Sequence, residues 1–153
     1  MSELTPEETA ALVHWSIHGR PGTPPSERYS PTAAELESFH EIAAPAVGPW
    51  PDVFDDAQRR LLLNGFPRGE MEDKWIVYSD EPSDSGATSI HFLRSWTGNE
   101  TIRLDLQLTE TGSRVTRGLW ETDPERIKNP TEEFARQTFV EICRWVLGMK
   151  PAD

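Results

Sequence analysis

Arg94 stands at the end of an alternating apolar run, Thr88 to Trp96, where its guanidinium must find an anion. An unpaired charge among apolar groups costs several kcal/mol. Two sources stay open. One is internal, with Glu70, Glu72 and Asp73 just ahead of the first strand. The other is the phosphate or carboxylate of a ligand, framed by Trp75 and Trp96. Glu70-Met71-Glu72-Asp73-Lys74 sets three carboxylates and an ammonium within five residues. Paired carboxylates suit metal binding or acid–base work, and the same run also suits a solvated turn.

Other constellations are weaker. His14 and His18 share a face of a predicted helix, but Trp15 stands where a zinc-binding helix carries its general-base glutamate. A third ligand would have to come from elsewhere, His40 or Asp55, so no metal site is assigned. His91 and Ser95 lie four apart on a strand, about 13 Å, too far for a nucleophile–base bond. Cys143 falls in an amphipathic stretch and reads as inert core or boundary. Gly65 and Gly69 do not lead from a strand into a helix, so there is no phosphate-cradling loop. No cofactor is implied.

The elements that must position these residues fall in three blocks. Thr5-Pro6-Glu7-Glu8 opens a helix to about His18, and residues 20–29 form a Pro- and Gly-rich loop. A second helix starts at Ser30-Pro31-Thr32 and ends near Pro45. Gly48-Pro49-Trp50-Pro51 is a turn, and a third helix covers Asp52 to Asn64. Period two then takes over: strands at 75–78, 88–96, 101–108 and 115–121, separated by turns at 80–86, 97–99 and 109–112. Ile102, Leu104, Leu106 and Leu108 alternate with polar residues most clearly. Asn129-Pro130-Thr131 caps a last helix, with Phe134, Phe139, Ile142, Trp145 and Val146 as its stripe. The expected fold is a single α+β domain over residues 1–153: an antiparallel four-stranded meander covered by N-terminal helices and one C-terminal helix. A three-residue Thr97-Gly98-Asn99 loop sets Phe92 opposite Leu104 and Ile90 opposite Leu106, joining two apolar faces. Arg94 then points to the core side, and His91 lies opposite Asp105 on the other face.

With 153 residues, 36% of them apolar, the chain suits one domain. Its net charge of −11 disfavours nucleic acid and anionic membranes as partners, and suits a basic protein partner or simple solubility. No apolar run approaches a membrane span, no secretory signal is visible, and one cysteine agrees with a reducing cytoplasm.

Met71-Glu72-Asp73-Lys74-Trp75 followed by His91-Phe92-Leu93-Arg94-Ser95-Trp96-Thr97-Gly98 resembles a small bacterial domain with M-E-D-K-W and H-F-x-R-S-W-T-G motifs. That domain occurs alone or appended to ADP-ribosylglycohydrolase-like proteins, and the resemblance covers about residues 69–108. It implies a context of ADP-ribose or nucleotide chemistry and no particular activity; the glycohydrolases' acidic metal motifs are not visible here. The motifs fall on the residues already singled out: Glu72, Asp73, Lys74, Trp75, Arg94 and Trp96. A cation beside two indoles can hold a phosphate and a stacked base. The first expectation is therefore a cytoplasmic binding or accessory module for an ADP-ribose or nucleotide-like ligand. The alternatives are a small hydrolase with Glu72 or Asp73 as general base, and an immunity-type protein that binds a basic partner.

Overall fold

The structure, a computed structural model, describes residues 27–48, 50, 52–67 and 73–148. The expected helix at 5–18, with His14 and His18, and the acidic residues Glu70 and Glu72 lie outside the described residues.

Helix α1 spans Ala33–Ser38, where Thr32 and Glu35 close a reciprocal capping box. It ends at Ser38, well short of Pro45, because Phe39 already turns extended and covers the sheet instead. Strand β1, Pro45–Gly48, and strand β2, Val53–Asp55, replace the expected helix end, turn and helix start. Helix α2, Asp56–Asn64, begins only after Asp55, whose side chain accepts from the Gln58 amide while Gln58 bonds back. Gly65 stops it at φ 72°, the left-handed region that glycine enters freely.

Four longer strands follow: β3 Trp75–Ser79, β4 Ala87–Arg94, β5 Glu100–Leu108 and β6 Gly112–Glu121. They form the expected antiparallel meander, but the sheet has six strands. Its order is β1-β6-β5-β4-β3, and β2 pairs with the other end of β6. The two added strands are short and lie beside prolines, so neither has a period-two signal of its own; pairing with β6 makes them strands. Helix α3, Glu132–Glu141, is capped by Thr131 and runs into a π-helical turn, Ile142–Val146. Among the described residues no helix is long and apolar enough to cross a membrane.

The faces fall as expected, but the register of β4 against β5 does not. Phe92 opposes Ile102 and Ile90 opposes Leu104. The connection is a four-residue turn, with Arg94 N–H bonded to the Asn99 carbonyl and Gly98 N–H to the Arg94 carbonyl. Gly98 has φ 72°, and a bulge follows between Phe92 and Leu93. The result is a shift of two residues, which keeps every side chain on its face. His91 consequently faces Arg103, not Asp105.

The core fills one face of the sheet. Val77, Ile90, Phe92, Ile102, Leu104 and Leu106 pack against Leu62 of α2 and against Phe139, Ile142 and Val146 at the C-terminal end. Trp50 lies buried over β6 because residue 118 is glycine: a Cβ there would stand 2.1 Å from the indole. At the β6 terminus, the buried Glu121 carboxylate accepts hydrogen bonds from the backbone N–H groups of Ala43, Ala44, Thr122 and Asp123. These four donors outweigh the cost of burial and hold its carboxyl below the usual range. They also tie the segment before β1 onto the sheet.

Candidate functional site

Trp75 and Arg94 are direct cross-strand partners on β3 and β4, which brings the two sequence motifs together. Ser95 stitches the join, donating from its amide to the Lys74 carbonyl and from its hydroxyl to the Asp73 carbonyl. The Arg94 guanidinium lies over the Trp75 ring at 4.7 Å, and the Lys74 ammonium lies over the Trp96 ring at the same distance. Trp75 is 3% exposed and belongs to the core, whereas Trp96 is 61% exposed on the turn after β4. The two indoles thus divide the work: one is a buried wall and the other a solvent-facing plate.

Lys74, Arg94, Trp96, Thr97, Asn99, Glu125 and Arg126 line one cleft of about 330 Å³. Among the described residues, no carboxylate forms an ion pair with Lys74 or Arg94. Burial pulls the Arg94 pKa below its ordinary value. Arg126 contributes a third cation from the segment after β6; it donates to the Glu41 carbonyl at 2.9 Å and lies 3.9 Å from Glu121. Asp73 is 2% exposed and does not line the cleft. Of the six singled-out residues, the structure gathers Lys74, Arg94 and Trp96 at the cleft, with Trp75 under Arg94 and Asp73 buried and bonded through its carbonyl to Ser95. Glu72 lies outside the described residues.

A second cluster was not visible in the sequence. On the opposite face of the sheet, His91 is clamped between Asp80, at 3.0 Å from Nε2, and the buried Glu100, on Nδ1. Its ring stacks on Tyr78 at 4.5 Å, and Tyr78 stacks on Phe39 at 5.6 Å. Only the bulge beside Leu93 brings Glu100 into reach, and residue spacing does not foretell a bulge. Burial alone would depress the imidazole pKa, but the hydrogen bonds it donates to Asp80 and Glu100, with their charges, outweigh burial and raise the pKa to about 9.

This clamp predicts a pH dependence. The folded pKa is above the unfolded value of about 6.5, so the stabilisation is complete below that value and is lost as pH rises through about 9. Its size is on the order of 3 kcal/mol. Urea titrations of the protein and of His91→Gln between pH 6 and pH 10 check this. The stability gap between them should shrink toward high pH; a constant gap would rule out a protonated clamp.

Among the described residues no group of three or more His, Cys, Asp or Glu is placed to hold a metal ion. Cys143 is buried, and its thiol is pushed far up by burial, as an inert core residue should be. Comparison with protein-family models, with curated proteins and with solved structures finds no match to this chain.

Proposed function

We propose that this chain is a binding or accessory module for a small phosphorylated ligand carrying a flat ring, of the nucleotide or ADP-ribose class. Lys74 and Arg94 hold the phosphate, and the exposed Trp96 ring stacks on the base. One observation carries the reading: in a chain of net charge −11, the described residues lining a single cleft include three cations, Lys74, Arg94 and Arg126, and one carboxylate, Glu125. A local positive patch inside a negative field attracts an anion of matching size and repels an extended polyanion. A cation seated on an indole face is held in part by the ring, which leaves its outward donors to a ligand.

A thermal-shift titration with ADP-ribose, AMP, NAD, adenosine and inorganic phosphate tests it. A phosphorylated nucleoside present at about 100 times its Kd adds about 2.7 kcal/mol, a shift of several degrees in a domain this size. The reading requires a response to ADP-ribose or AMP that adenosine does not reproduce and that added salt weakens. Silence toward every phosphorylated compound would overturn it, and would favour a basic protein partner for the acidic surface.

A further inference from the structure

The cavity on the other face of the sheet has a different chemistry from the cleft. It measures about 350 Å³ and lies between β3–β6 and the chain from Leu36 to Pro45. Its floor is apolar, made by Leu93 and Leu119, and Phe39 and Ile42 wall it. At the polar end stand groups of both signs, each with bonding capacity left over. Arg103 donates from Nε to Asp105 at 3.0 Å, and its two terminal nitrogens make no hydrogen bond among the described residues. Glu100 is 6% exposed and gives one oxygen to His91; no second bond to its carboxylate is formed among the described residues. Glu41 lines the same end from the rim. The Tyr78 hydroxyl has no hydrogen-bond partner among the described residues. Burial, followed by Glu100, Asp80 and Glu41, pushes its pKa up to about 12, so it remains a donor at neutral pH.

A simple organic anion entering this cavity would meet Arg103 and the protonated His91 favourably but also Glu100 and Glu41. A simple organic cation would meet the reverse. A zwitterion satisfies both signs at once, and an apolar tail then covers the leucine floor without leaving either charge buried and unpaired. We propose that this cavity is a binding site for a free α-amino acid with an apolar side chain. Arg103 and the Tyr78 hydroxyl hold the carboxylate, Glu100 and Glu41 hold the ammonium, and the side chain lies on Leu93 and Leu119.

Calorimetric titration of the whole chain with L-leucine and L-phenylalanine tests this. The controls are 3-methylbutylamine and 4-methylpentanoate, which are leucine without its carboxylate and without its ammonium. At least one amino acid should bind, and both single-charge controls should bind roughly tenfold more weakly or worse. Arg103→Met should weaken amino-acid binding by a similar factor and leave the amine control unchanged, since Asp105 keeps Arg117 and Ser89 as partners. If that variant fails to fold, Leu119→Trp supplies the test by filling the floor, and should abolish binding. Arg94→Ala, across the sheet, should leave the amino-acid affinity untouched, so failure here is separable from failure of the nucleotide reading. Absence of binding by both amino acids would overturn the proposal. So would an amine that binds as tightly as leucine, or an Arg103→Met variant that binds unchanged.

Discussion

Phe139→Ala should lower the free energy of unfolding by about 3–5 kcal/mol. Phe139 is 3% exposed and stands edge-on to three other rings. Its centroid lies 5.6 Å from Trp50, 6.1 Å from Phe54 and 5.6 Å from Phe92, at interplanar angles of 81°, 63° and 89°. Each such edge-to-face pair is worth about 0.5–1.5 kcal/mol beyond the area it buries. The void left behind would be walled by rings on β4, β2 and the Trp50 turn, none of which can collapse inward without leaving its own partners. Urea unfolding should show a large drop in midpoint with an unchanged m value. Phe134→Ala, one turn earlier and only half-buried, should lose much less. A Phe139→Ala loss below about 1 kcal/mol would show that α3 does not seal the sheet as described.

What the residues reveal on their own depends on how far each feature reaches through space. The Ile102 to Leu108 alternation is a local pattern and reads directly as β5, and the Thr131 cap likewise marks α3. The α+β class and the joining of two apolar faces follow from these. Strands β1 and β2 do not, because Pro45–Gly48 and Val53–Asp55 become strands only by pairing with β6. Asp55 illustrates the same limit: its capping box with Gln58 is a local signal, but a helix drawn from Asp52 passes over it. The register error at the Arg94–Asn99 turn has one cause, the left-handed Gly98 and the bulge it feeds. For the candidate site, the juxtaposition of Lys74, Arg94 and Trp96 is legible because the pairing of β3 with β4 brings their two motifs together. That Lys74 and Arg94 rest on rings, with no described carboxylate paired to them, depends on distances no spacing encodes. The His91 clamp was out of reach for the same reason, since Glu100 arrives only through the bulge.

Arg94→Ala is the variant that separates a ligand site from a structural knot, and its two readouts should diverge. A guanidinium locked in a buried ion pair would cost about 3–5 kcal/mol on removal, because its carboxylate would be stranded. Here no described carboxylate is left behind. What is lost is the stacking on Trp75, about 0.5–2 kcal/mol, and what is relieved is the desolvation of a cation that burial already pulls below its ordinary pKa. The terms oppose each other, so melting should change by about 1 kcal/mol or less in either direction. Affinity for ADP-ribose or AMP should instead fall by roughly ten- to a hundredfold, the cost of one charge-assisted contact to phosphate. Arg94→Lys refines the point: it keeps the charge and loses the planar fork, so it should recover part of the affinity but not all of it. A stability loss of several kcal/mol in Arg94→Ala would make the cluster structural. Unchanged affinity in a folded variant would take Arg94 out of the phosphate site and leave Lys74 and Arg126 to hold it.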